Sequence, residues 1–300
     1  MSKNNAYERE KKEQNTEKLE KSNIKKFKLI DGLIAYVISI ALFACAYGFF
    51  KDIIGVWAIY IACALSLASI ILLIKLTGLK LGSVLRFSSP RKLETVGCAL
   101  ALASVIVISL PLILISHLIA PGLALTSFNV YSVSDSTFSV IVLTVFVAIC
   151  ENILFDGYIY SRFKVIGNLA LRTIIIALMA SVMKLDMYAL PCVLVSSAAC
   201  LLLRNFTNSL SLPLILRICT SSFVTAMSAA SAGASELIGE AMGVVQVCGM
   251  SIIFVGIACP CIVGTLGAFG KLGNKGKTFG VASGVSAIIL IALGSGISSL

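Results

Sequence analysis

Cys150-Glu151-Asn152-Ile153-Leu154-Phe155-Asp156-Gly157-Tyr158 follows a dozen largely apolar residues, 138–149, and precedes the basic pair Arg162 and Lys164. On a helix rising 1.5 Å per residue, Glu151 lies about 16 Å inward from Arg162. An ionisable group at that depth in a bilayer costs at least about 2.5 kcal/mol, so it has a partner or a task. Two readings follow. Glu151 is either neutralised by protonation or by a basic residue on a neighbouring helix, or it is a functional carboxylate.

The rest of the chain fits a bilayer. Of its 300 residues, 58% are hydrophobic and only 13% charged, whereas soluble domains run nearer half apolar and a quarter charged. The first apolar run begins near Leu29, after a long charged segment, and it exceeds the length of a cleaved signal. The predicted fold class is all-α, a polytopic integral membrane bundle of eight to nine transmembrane helices. Residues 1–28 form a charged cytosolic tail with Glu8/Lys12 and Glu17/Lys21 at helical i,i+4 spacing, and residues 29–300 form the bundle.

Apolar runs are expected at 29–50, 53–74, 95–120, 138–160, 169–187, 189–203, 209–228, 242–264 and 279–297. Most have roughly the 20 residues a helix needs to cross about 30 Å; the sixth is the short one. Charge between the runs alternates. One set of connectors carries Lys75, Lys80, Arg86, Arg91 and Lys92, then Arg162 and Lys164, then Arg204, then Lys271, Lys275 and Lys277. The other carries Lys51 with Asp52, then Asp135, Asp186, Glu236 and Glu240. With positive charge inside, the amino terminus is cytoplasmic, nine helices cross a plasma membrane and the carboxyl terminus is outside.

The net charge of +10 thus reads as contact with anionic lipid and gives no reason to expect nucleic acid. Nearly all ten cysteines lie in apolar runs, where a free thiol behaves as a small hydrophobe. Gly280 and Gly284 form a G-x-x-x-G whose default role is close helix packing, as are the roles of Gly264, Gly267 and Gly270. The single histidine, His117, cannot supply the two imidazoles of an H-E-x-x-H zinc site. No Walker loop is present. Cys259-Pro260-Cys261 has the donors for a soft ion, but a kinked, reduced helix is the simpler expectation. No metal and no cofactor are predicted.

The buried charges remain. Arg217 falls in the middle of the seventh run, and Lys184 near the outer end of the fifth beside Asp186. Asn152 and Asp156 are four apart and share a helix face, whereas Asp156 on an α-helix points well away from Glu151. Opposite charges at like depth pair. The expected pair is Glu151 with Arg217, followed by Asp156 with Lys184 or Arg217.

Glu151-Asn-Ile-Leu-Phe-Asp-Gly157-Tyr resembles the first motif of the CPBP (CAAX protease and bacteriocin-processing, or Abi) intramembrane family, E-E-x-x-x-R, often E-E-[IL]-[IL]-F-R-G. The family's second motif, F-x-x-x-H, falls some thirty-odd residues later and corresponds to Ala180 and Lys184. Its third follows an R-T-G-S-L-x-x-P turn, matched by Thr207-Asn-Ser-Leu-Ser-Leu-Pro213, and places Arg217 at the histidine and Ser221 at the asparagine. The resemblance covers about 138–223. It implies a core that, in the family, uses paired glutamates and histidines to activate water for hydrolysis near a prenylated or hydrophobic carboxyl terminus.

Only Glu151 of that set is retained as a catalytic candidate. Asn152, Asp156, Lys184, Arg217 and Ser221 occupy the other motif positions. A general base must exchange protons near working pH, and arginine does not. The resemblance therefore implies a degenerate member: a non-catalytic scaffold for hydrophobic or lipidated peptides, with membrane lipids and prenylated peptides as partners. Two alternatives stand beside it. One is an active endopeptidase relying on Glu151; the other is a small-solute transporter, which predicts inverted repeats and discontinuous helices around Glu151.

Overall fold

In a lipid core each chain segment must satisfy its own N–H and C=O groups, so long apolar runs become helices. The computed structural model describes residues 2–55, 57–119, 137–183, 189–223, 226, 244–273 and 276–299, and these contain helices and connectors with no strand. The helices are α1 (Ser2–Ile54), α2 (Trp57–Leu76), the short α3 (Leu81–Val84), α4 (Lys92–Ile119), α5 (Thr137–Glu151), α6 (Tyr160–Phe163), α7 (Leu169–Met183), α8 (Ala189–Thr207), α9 (Ser211–Phe223), α10 (Val244–Ala268) and α11 (Gly276–Ser298). A π-helical segment, Asn152–Ile159, joins α5 to α6.

Every apolar run of the sequence lands on a helix. Among the described residues seven helices are long and apolar enough to cross a membrane, while α7 and Ser211–Phe223 are apolar but shorter. The sixth run is therefore not the short one: its helix extends to Thr207, because Arg204 and Asn205 continue the turn rather than end it. Asp135, Lys184, Asp186, Glu236 and Glu240 lie outside the described residues.

The bundle is organised in two groups. Helices α1 and α2 pack together and against the α5–π–α6 rod, whose π segment α7 and α8 also contact. Helices α10 and α11 pair closely, and α10 leans on α4, which in turn contacts α8. Phe155, Tyr158 and Ile159 of the rod are fully buried among Ile70 and Ile74 of α2 and Ile176 of α7. Since lipid tails are as apolar as these side chains, contact density and buried polar bonds hold such a bundle more than transfer from water does. One such bond runs from Tyr36 Oη on α1 to the Met179 carbonyl on α7, 2.9 Å.

Among the described residues the G-x-x-x-G of α11 is not a packing seam. A Cβ on Gly280 or Gly284 would meet none of their atoms within 4 Å, whereas one on Gly294 would collide with the backbone of Gly249 and the side chain of Ile253. Gly249, Gly256 and Gly294 let α10 and α11 touch, because these glycines fall where the two helices approach.

The basic connectors meet at one end of the bundle. Asn208, left-handed at φ 51°, closes α8 in the manner of an αL cap. The following Ser209–Leu210–Ser211 turn binds the 86–88 connector. Leu210 N–H donates to the Arg86 carbonyl at 2.8 Å and Ser211 Oγ to the Ser88 carbonyl at 2.8 Å. Lys271 stands over the Phe206 ring at 4.9 Å, and Arg162 faces Asp31 of α1 at 3.5 Å.

Candidate functional site

Residues five apart on an α-helix are rotated by about 140°, so Glu151 and Asp156 were expected on different faces. The chain avoids this by changing its winding. Across Asn152–Ile159 the hydrogen bonds run i→i+5 instead of i→i+4, which brings residues five apart towards one face. The segment does not break, and so the helix at Glu151 is not discontinuous in the way the transporter reading requires.

Arg217, from the middle of α9, reaches both acids. Its Nε and Nη2 donate to Asp156 Oδ2 at 3.1 and 2.9 Å, and its Nη1 lies 3.4 Å from Glu151 Oε2. The guanidinium edge thus serves Asp156 and its tip serves Glu151. Asn152 Nδ2 donates to the same Asp156 Oδ2 at 3.0 Å, as their four-residue spacing suggested. Ser197 Oγ on α8 stands 3.5 Å from Arg217 Nη1. Asp156 is 0% exposed, Arg217 3% and Glu151 7%, so the three side chains meet in the interior of the bundle.

The expected Glu151–Arg217 pair is present, but it is the longer of two. Asp156 is the tighter partner because two guanidinium nitrogens converge on its single oxygen. Lys184, the other expected partner of Asp156, is outside the described residues. Ala180 is buried on α7 in the core around Phe155 and Tyr158. Ser221 is half-buried one turn beyond Arg217 and joins none of the hydrogen bonds of the carboxylate–arginine network. Among the described residues, Asp156 Oδ1 and Asn152 Oδ1 are buried without a hydrogen-bond partner.

Cys259 and Cys261 are half-buried free thiols on either side of Pro260 within α10. Every cysteine of the chain is a free thiol. His117 lies on α4.

Arg204 was read only as a marker of a basic connector. It is instead buried in α8, donating from Nε to the Asp156 carbonyl and from Nη2 to the Val84 carbonyl, each at 3.2 Å. It thereby accepts responsibility for one backbone oxygen that the altered winding leaves beside the site. The signal was present in the sequence. Ser197, Cys200 and Arg204 fall at i, i+3 and i+7, the spacing of one inward stripe, and all three are buried.

Residues 133–223 match the model of a family described as Rce1-like, the type II CAAX prenyl endopeptidases. Comparison with curated proteins and with solved structures gives no match. The matched stretch is under a third of the 300-residue chain. It includes Glu151, Asn152, Asp156, Ser197, Arg204 and Arg217, the side chains of the network described above.

Proposed function

We propose that this multi-span membrane protein keeps the scaffold of a CAAX-type endopeptidase with its hydrolytic centre replaced by a fixed charge network, and that it binds hydrophobic or lipidated peptides without cutting them. The observation that carries this reading is the position of Arg217. Its guanidinium occupies the space between both carboxylates, within 2.9 Å of Asp156 and 3.4 Å of Glu151. Arginine remains protonated throughout the working pH range. A carboxylate engaged by it is occupied, and is not free to pass a proton from water to a leaving amine. By the positive-inside rule the basic connectors are expected to face the cytoplasm, and the membrane we propose is the plasma membrane.

The test uses the full chain in liposomes with a prenylated peptide bearing a photoreactive group. The expected result is crosslinking of the peptide with no release of its carboxyl-terminal fragment, the same in wild type and Glu151→Ala. Fragment release by the wild type that vanishes in Glu151→Ala overturns the proposal and establishes the second reading, an endopeptidase using Glu151. That second reading has one observation in its favour: the Glu151–Arg217 distance is 3.4 Å, longer than the 2.9 Å from Arg217 to Asp156.

A further inference from the structure

One turn beyond the carboxylate network, three cations surround a single aromatic ring. Arg172 Cζ lies 4.8 Å, Lys164 Nζ 5.4 Å and Arg204 Cζ 5.9 Å from the centroid of Tyr160. Cation–π attraction contributes on the order of 1 kcal/mol to each such contact, which is small beside the repulsion among three like charges out of water. The polar neighbours are neutral. Tyr160 Oη donates to Asn205 Oδ1 at 3.0 Å, and Arg172 Nη2 donates to the same oxygen at 3.1 Å.

Among the described residues the nearby acids are bound by other cations: Asp156, whose charge also acts on Arg204, is held by Arg217, and Asp31 faces Arg162. Arg172 is 7% and Arg204 2% exposed, yet Arg172 Nε and Arg204 Nη1 are buried without an acceptor. Lys164, in contrast, is exposed. Its ammonium is held below the ordinary lysine pKa by partial burial and then by the charges of Arg204 and Arg172. Buried guanidinium N–H groups without acceptors are costly, and an anion brought among these cations would meet both the charge and the orphaned donors.

We propose that Lys164, Arg172 and Arg204 around Tyr160 form a binding site for one negatively charged phosphate group. The chemistry fits: guanidinium forks match phosphate oxygens, and the flexible lysine at the mouth is the group an incoming anion meets first. The location fits too. Lys164 follows the end of the 141–163 span, Arg204 sits in the last turn of the 190–207 span, and Arg172 opens α7. Phospholipid headgroups occupy that level, and basic pockets between helix ends are where anionic headgroups bind. Outward-facing Leu171 and Ile174 beside Arg172 offer apolar surface for acyl chains. The same phosphate chemistry is available from free phosphate in the aqueous phase.

The experiment measures thermal stability and lipid retention by native mass spectrometry on the full chain in nanodiscs. The discs contain phosphatidylcholine alone, phosphatidylcholine with phosphatidylglycerol, or phosphatidylcholine with added inorganic phosphate. The variants are Arg172→Gln and the exposed Lys164→Gln, which breaks no hydrogen bond of the fold. Selective retention of one phosphatidylglycerol per chain, weakened about fivefold for each cation removed, supports the site with a lipid as its source. Stabilisation by inorganic phosphate in phosphatidylcholine discs, lost in both variants, supports the site with soluble phosphate as its source. Retention and stability that do not distinguish the three conditions, or a preference for phosphatidylglycerol that Lys164→Gln and Arg172→Gln leave intact, overturn it.

Discussion

Removing the Arg217 guanidinium leaves two buried carboxylates without their shared cation. Breaking a buried ion pair from one side costs about 3–5 kcal/mol, because the remaining charge stays desolvated. Arg217→Met is therefore expected to lose about that much in reversible denaturant unfolding in micelles. Asp156→Asn should lose less, since Glu151 still answers the arginine and the amide still reaches Asn152. If all three charges are removed together, as in Glu151→Leu, Asp156→Leu and Arg217→Met, most of the loss should return, since apolar replacements of a buried network are near neutral. The non-additivity is the diagnostic quantity. A triple variant as unstable as Arg217→Met plus the two acid substitutions summed would mean the three groups act separately.

Two local departures from regular winding and packing decide how the elements meet, and they differ in how visible they were. The nine apolar runs could be placed from hydropathy alone, because in lipid only a helix satisfies the backbone. The π segment could not. Asn152-Ile-Leu-Phe-Asp156 has the composition of any helix with two polar residues, and the extra residue per turn has its visible rationale in Arg217, 61 residues away from Asp156, which binds both acids. Glycine spacing misled in the opposite sense. G-x-x-x-G at Gly280 and Gly284 has the motif without a neighbour, whereas Gly249 and Gly294 have the neighbour without a motif, since contact depends on where two axes cross. Gly294→Val should cost about 1–3 kcal/mol through overpacking, while Gly284→Val should stay within about 0.5 kcal/mol as an open surface change does. Thermal unfolding of the two variants in the same detergent checks this, and equal losses would return the seam to Gly280 and Gly284.

For the molecule as a whole, the charge pattern and the tertiary contacts give two independent accounts of one end of the bundle. The sequence assigns Arg86, Arg162, Lys164, Arg204 and Lys271 to a single side by counting crossings. The fold joins the same connectors by contact, through Leu210 to Arg86, Ser211 to Ser88, Arg204 to Val84 and Lys271 to Phe206. A missed or merged span between them would have put one of these residues at the opposite end, out of reach. By the positive-inside rule, which counts short basic connectors of this kind, that end is expected to face the cytoplasm. A cysteine introduced at the exposed Ser89, beside this contact zone, should therefore react with a membrane-impermeant maleimide in inverted vesicles and stay unlabelled in intact cells. One introduced at the exposed Asp52, in the last turn of α1, should show the reverse. Labelling of both from the same side would break the crossing count, and labelling of each from the wrong side would invert the whole protein while leaving its internal contacts as they are.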